Sequence, residues 1–558
     1  MDNLLLKNGR LVNIFTGEIV KTNILVSSGK IREIGPYLSG EEEIDLKGSY
    51  LLPGLIESHI HLESSLLSPN EFSRLTLLSG TTTLICDPHE ISNVLGIKGI
   101  YYLLKATRNL SQDFYFLIPS CVPATKFETA GGKIGLKEMR RLLKEKRILG
   151  LAEVMNFPGV ISGDKEILGK IRLVQKSGRE LVIDGHSPGL RGKDLAIYLF
   201  SGISSDHESV NAEEAKEKLS LGMWIMVREG SAAKNLKDLL PIINWRNERR
   251  LLLCSDDIHP EDLLKEGHLN AILRKGVSLG IDPILLLRMA TLNPATYFPL
   301  RNIGAIAPGY RADMTIVKDL KDFRVLMVIK NGAVVVKDGE IATSLRGYEL
   351  PNKSTFRVKG LSLERFLVKD ERKVIKVIKV LPGQIITKKE LVVPKVKEGE
   401  VISDTERDIL KLVVIERHKG TGNIGIGFVS GFGLKEGAIG SSVAHDSHNI
   451  IVVGVKDEEI FSAAKRIIEM RGGMVVLGRG KIKELALPIA GLLSDKKAEE
   501  VISSLEEMGD WARKLGCQLV NPFATLSFLA LPVIPELKLT DKGLFDVEKF
   551  QFVPIFGD

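Results

Sequence analysis

His59, Ile60 and His61 follow the apolar run LLPGLIES. Residues two apart in a strand point to the same side, so both imidazoles can reach one metal ion from a single strand end. Four more polar residues close similar runs. Glu153 follows ILGLA, His186 follows ELVIDG, His207 follows GISSD and Asp256 follows LLLCS. Four histidines and two carboxylates at strand ends suit Zn, Fe(II) or Mn(II) and are enough donors for two ions.

The elements that must carry these residues can be read around them. Between residues 51 and 300, eight apolar runs alternate with helical stretches: LLPGLIES, TTTLICD, FYFLIPS, ILGLAEV, ELVIDGH, GISSDHE, MWIMVRE and LLLCSDD. This alternation predicts a (β/α)8 TIM-like barrel, whose chemistry sits at the C-terminal ends of its strands. Residues 1–50 and 301–355 differ from it, with short strand-like segments broken by turn signals. Asn8-Gly9 and Ser28-Gly29 read as hairpins. KNGRLVN near the start and KNGAVVVKDG near residue 330 match in kind. The two ends are therefore expected to build one composite β-sandwich domain, with the barrel (51–300) inserted in it. Residues 356–558 hold mixed strand-like and helical runs and predict a C-terminal α/β domain.

Composition agrees with a globular enzyme. The 558 residues allow about three domains at roughly 100–200 residues each. With 44% hydrophobic and 26% charged residues, a disordered or fibrous chain is excluded. Four cysteines without CxxC spacing argue against a disulfide scaffold or a cysteine zinc module. No long apolar run suggests a leader or membrane span, so a cytoplasmic protein with no membrane partner is expected. The net charge of +7 is a small excess over a long chain. The basic stretch from Lys359 to Lys397 alternates with Val, Ile and Leu and lacks interleaved aromatics, so no nucleic-acid partner is expected.

Longer motifs carry a family resemblance. PGLIESHIHLESS, the histidines His186 and His207 and the SDD motif resemble the amidohydrolase superfamily, and DGHSPGLRG, GISSDHESV and CSDDIHP resemble one branch of it. DPHEISNVLG, GLAEVMNFPGV, REGSAAKNL and SVAHDSHNIIVVG narrow the resemblance to adenine deaminases, in order along nearly the whole chain. The resemblance implies hydrolysis of adenine to hypoxanthine and ammonia, purine salvage, and two divalent ions, Mn(II) or Fe(II). Carried onto this chain, His59 and His61 hold one ion with Asp256, His186 and His207 hold the other, and Glu153 bridges them. Many relatives bridge with a carbamylated lysine, but ILGLAEVMN offers a glutamate there. Asp256 by position would also move the proton of the attacking water. If LLLCSDD stays extended, Asp256 and Asp257 face opposite ways; spacing does not decide between them, and the resemblance implies Asp256 inward.

Further candidates surround these. His89 and Glu90 could recognise the purine, hold an extra ion or stabilise their loop. Arg228 and Glu229 end the seventh run facing the mouth, where a substrate contact is possible. Asp257, His445 and His448 are further substrate-side candidates, the last two in a loop that is either a lid or a structural turn. His259 and His268 fit helix capping or packing, and Cys86 and Cys254 fit the core. Rival readings are a substituted purine substrate such as N6-methyladenine or isoguanine, another cyclic amidohydrolase such as dihydroorotase or a deacetylase, and a catalytically dead binding module. The PCxxC signature of deaminases that act within nucleic acid is absent, which favours a free base. A chain of this size suggests a homodimer or higher homo-oligomer.

Overall fold

The computed structural model describes residues 3–342 and 355–557. Residues 343–354, where the sequence places the end of the composite domain, lie outside the described residues. Both ends of the barrel segment contribute to one nine-stranded sheet. Leu4–Val12, Ile19–Ser27, Lys30–Gly35, Glu42–Asp45 and Tyr50–Pro53 come from before the barrel. Met314–Val317, Val325–Lys330, Ala333–Lys337 and Glu340–Ile341 come from after it. The seam is antiparallel, with Thr315 opposite Leu52. The sheet curls until Lys30 bridges Arg311, enclosing Leu6, Ile24, Leu51, Met314 and Ile329.

Ser28-Gly29 is the expected hairpin turn, with φ of 52° and 73°. Asn8-Gly9 is not. Only Asn8 is left-handed (φ 58°), and Leu4–Val12 runs through it as one strand with a register shift between Leu6 and Gly9. One left-handed residue makes a bulge where two would reverse the chain. Gly9 leaves room there for Leu51, whose Cδ1 would lie 2.0 Å from a Cβ and would have to move for any larger residue.

All eight apolar runs form parallel strands. The first five, Leu55–Ile60, Thr81–Cys86, Asp113–Ile118, Ile148–Val154 and Val182–Gly185, make one sheet. The last three, Ser205–Asp206, Trp224–Arg228 and Leu251–Cys254, make another. The sheets meet at both edges. Asp256 N donates to His59 O at 3.0 Å, and Ser204 N donates to Ile183 O at 3.0 Å. The eight strands thus curl into a barrel. Helices on its outside start where the sequence supplies caps. Asn211 accepts from Glu214 N at 2.9 Å ahead of Ala212–Ser220, with Glu213 and Glu214 in the positive first turn.

The third region is built on an eight-stranded sheet. Its helix Asp457–Glu469 buries Ile460, Ala463, Ala464 and Ile467, one stripe at helical spacing, and places Asp457, Glu458 and Glu459 in its first turn. This region docks on the barrel. Ser494 N donates to Leu66 O at 2.7 Å, and Asn449 Nδ2 donates to Thr129 O at 3.0 Å. Leu66, Leu67, Leu492 and Leu493 belong to one apolar cluster across that junction.

Lys218 ties together the loops that leave strands five and six. Its fully buried ammonium donates to Ser187 O at 2.8 Å, Asp206 Oδ2 at 2.9 Å and Glu214 Oε1 at 2.7 Å. Removing it leaves two buried carboxylates without their cation. Lys218→Met should cost about 3–5 kcal/mol, seen as a clearly lower thermal unfolding temperature, with weakened metal retention because His186 and His207 flank this network. An unchanged unfolding temperature would contradict the assignment.

Candidate functional site

Strand one ends at Ile60 and presents His59 and His61 two residues apart, both buried, as is Glu57. His61 Nδ1 donates to the Asp87 carbonyl at 3.1 Å, which leaves Nε2 unprotonated in the neutral ring. That Nε2 lies 3.2 Å from His59 Nε2 and 3.0 Å from Asp256 Oδ1. His59 Nε2 is 3.4 Å from the same oxygen. Donors bound to one ion at about 2.0–2.2 Å must lie about 3–3.5 Å apart. Glu57 faces backwards from this cluster. It accepts from His59 N at 3.0 Å and Ser255 Oγ at 2.8 Å, and pairs with His268 Nε2 at 3.1 Å, so it joins strands one and eight.

Glu153 ends strand four between two sets of histidines. Its Oε1 lies 3.5 Å from His61 Nε2 and 3.4 Å from His89 Nδ1. Its Oε2 lies 2.6 Å from His186 Nδ1 and 3.2 Å from His207 Nε2. Burial works to raise this carboxyl, but His186 and His207 outweigh it and hold it well below the usual carboxylate range. Tyr198 fixes the spacing of strands four and five. Its hydroxyl donates to Val154 O at 2.8 Å and accepts from His186 N at 2.9 Å.

Asp256 departs from the expected extended register. The eighth strand ends at Cys254, and Asp256 is left-handed with φ 57°. That turn breaks the alternation that would have sent Asp257 away. Ligand atoms of His61, Asp256 and Asp257 all lie within 4.8 Å of one another. Asp257 also accepts from Ser64 Oγ. Arg228 Nη1 donates to Asp256 Oδ2 at 2.9 Å and clamps Glu208, leaving Oδ1 towards His59 and His61. Glu229 turns from the mouth instead, pairing with Lys275 and accepting from Leu236 N at 3.1 Å.

The loop His445–His448 reaches the barrel from 358 residues away, to pair with Glu90. His448 Nδ1 accepts from Ala444 N at 3.2 Å, so its proton sits on Nε2 and is donated to Glu90 Oε2. His445 Nδ1 lies 2.7 Å from Glu90 Oε1. Burial pulls His448 down to about 4, while Glu90 overcomes the same burial at His445 and lifts it to about 9. The protonated Nε2 of His448 makes this trio a hydrogen-bonded brace, with no lone pair there for an ion. His268 is a core residue, bonded to Thr81 Oγ1 at 2.8 Å as well as to Glu57. His259 occupies a helix N-cap position but makes no side-chain capping bond. Cys86 and Cys254 are buried in their strands.

Sequence reasoning missed Glu57, Asp87 and Glu208. Each had a local signal: Glu57 stands two residues before His59, Asp87 closes the second run, and Glu208 follows His207. The donors fit divalent ions. Two sets, His59 with His207 and Asp256, and Glu153 with His186 and His207, each bring their ligand atoms within 4.8 Å. Buried His59 Nδ1 has no hydrogen-bond partner. Two ring nitrogens 3.2 Å apart repel each other unless a cation or proton lies between them. Imidazole with carboxylate is the donor chemistry of first-row divalent metals.

Residues 50–335 match the amidohydrolase family, and residues 384–551 match the adenine deaminase C-terminal domain. The chain is 48% identical over 556 residues to an adenine deaminase of Desulfatibacillum aliphaticivorans, spanning 99% of this chain and 97% of that one. It is 45% identical over 558 residues to an adenine deaminase of Kosmotoga olearia, spanning 99% and 96%. Among solved structures, a beta-aspartyl dipeptidase of Fervidobacterium islandicum AW-1 aligns with a TM-score of 0.47 at 18% identity, over 61% of this chain and 98% of that one. With both family matches in sequence order and relatives this similar from end to end, the chain belongs to the adenine deaminase family of amidohydrolases.

Proposed function

We propose that this chain hydrolyses free adenine to hypoxanthine and ammonia. The observation that carries the reading is Glu153, whose two oxygens face two different histidine sets. Near end-to-end similarity to adenine deaminases supports the substrate. In this reading His59, His61 and Asp256 hold one divalent ion, His186 and His207 hold a second, and Glu153 bridges them. These ligands accept several divalent ions, and Mn(II) or Fe(II) is the choice that the family resemblance implies. Bound there, such ions supply Lewis acidity that brings the pKa of water from about 16 towards 7.

The chain's own residues do the rest. Arg228 holds Asp256 by Oδ2, so Oδ1 faces the reacting side and can take a proton from water. The water oxygen bonds to C6 of adenine. One water proton passes through Asp256 to the amine, which leaves as ammonia. The other ends on N1, and the product carries a C6 carbonyl. His89, Glu90, His445 and Asp257 line the substrate side, and His448 holds Glu90 in place. The same reading divides the chain into a composite domain (1–50 and 301–355), a catalytic barrel (51–300) and a C-terminal domain (356–558). It makes the protein a purine-salvage enzyme of the cytoplasm, a homodimer or higher homo-oligomer whose partner is a small molecule. No helix among the described residues is long and apolar enough to cross a membrane.

Loaded with Mn(II) or Fe(II), the chain should release ammonia from adenine far faster than from adenosine. Glu153→Gln should abolish that release while circular dichroism stays native, because an amide keeps the size but loses the charge joining two cations. Metal analysis should then find fewer ions per chain. Two retained ions with near-normal turnover would overturn the bridging role.

Asp256→Asn should lose metal and at least about 100-fold in turnover, since both a ligand and a proton acceptor disappear. Asp257→Asn should cost less and act mainly through its bond to Ser64. Purified variants compared for bound metal and adenine turnover decide this. A dead Asp257 variant beside an active Asp256 variant would redraw the site around Asp257.

A further inference from the structure

The C-terminal loop brings a carboxylate into the site between two committed histidines. His445 and His448 are both spent on Glu90. Asp446 between them is only 5% exposed, yet its carboxylate makes no hydrogen bond or ion pair with any described residue. Burial pushes this carboxyl up, and the charges that act on it are those of His89, Glu90, His445 and Glu153, all groups of the barrel mouth or its brace.

The loop is not free to carry Asp446 to a partner elsewhere. Fully buried Arg417 donates from Nε to His448 O and from Nη2 to Ala490 O at 3.0 Å. His445 N donates to Ser527 O at 3.1 Å, and Asn449 Nδ2 reaches Thr129 O at 3.0 Å. A buried carboxylate held without a donor is costly, and such groups in native proteins normally find a partner. Here the donor comes from outside the chain, from water or from a ligand that displaces it.

Free adenine offers two kinds of N–H: the amine on C6 and one N–H on the five-membered ring. The amine end must face Glu153 and Asp256, where the C–N bond breaks. We propose that Asp446 accepts the hydrogen bond from the imidazole-ring N–H of a free purine base and thereby selects the base over its nucleoside. A nucleoside carries sugar in place of that hydrogen, and its remaining ring nitrogen is an acceptor that a carboxylate repels. This assignment rests on the adenine reading above and adds a specificity residue to it.

The test uses the metal-loaded full-length chain, with Asp446→Asn and Asp446→Ala beside it. Both variants should keep the parent's metal content. KM for adenine should rise about 10- to 100-fold, the range for losing a hydrogen bond to a charged group, with a smaller change in kcat. Calorimetric binding of purine and 9-methylpurine supplies a measurement that needs no turnover. The parent should bind purine at least about 10-fold more tightly, and that advantage should shrink in the variants, which a purely steric exclusion of the methyl group would not do. An unchanged KM, a loss confined to kcat, or equal binding of the two purines by the parent would overturn the proposal. If the variants do not fold, equal binding of the two purines by the parent still overturns the proposal. If the parent binds purine with the N–H preference but does not deaminate adenine, the adenine reading fails and the Asp446 assignment stands.

Discussion

One buried carboxylate has to serve two sets of histidines at once. Glu153 Oε1 looks to His61 and Oε2 to His186 and His207. Strand four can deliver it only if it lies tight against strand five, and Gly150 makes that approach possible. A Cβ there would sit 2.1 Å from Val182 O. Tyr198 then pins the two strand ends through Val154 O and His186 N. Ser120 donates to the Glu153 carbonyl, tying in strand three as well. A longer side chain would not need this closeness. A glutamate does, because it must reach both histidine sets without help from an added carbamate.

The layer behind the histidine and carboxylate clusters is as polar as the clusters themselves. Glu57 joins His59 N to Ser255 and His268, and Asp206 joins Ser187 to Lys218. Each is a buried charge with donors on both oxygens, the condition under which burial is tolerated. Such outer groups fix ring orientation and tautomer of the residues in front of them. His61 is an example: its bond to Asp87 O turns Nε2 towards Asp256. Asp446, flanked by the two histidines that hold Glu90, lacks such donors.

What the sequence made legible was local. HIH, DGH, DHE and the glutamate of GLAEV each announce themselves at the end of an apolar run, and eight such runs identify the barrel. The register at Asp256 was not legible, because alternation assumes an extended chain and Asp256 is left-handed. Asn8-Gly9 misled for a related reason: the dipeptide favours positive φ but does not say whether one residue or two adopt it. The brace between His448 and Glu90 spans 358 residues, and Glu57 meets Ser255 across 198. No spacing rule reaches that far. The C-terminal region looked poor in chemistry because its contribution depends on where it docks.

Docking of that region brings His445 and His448 onto Glu90 of the barrel. In the proposed reaction two ions share Glu153. The most direct measurement is to strip the protein of metal and return Mn(II) stepwise, following ammonia release from adenine. Activity should rise until two equivalents per chain are bound and then level off. Full activity at one equivalent, with no further gain, would contradict a site built around a bridging glutamate.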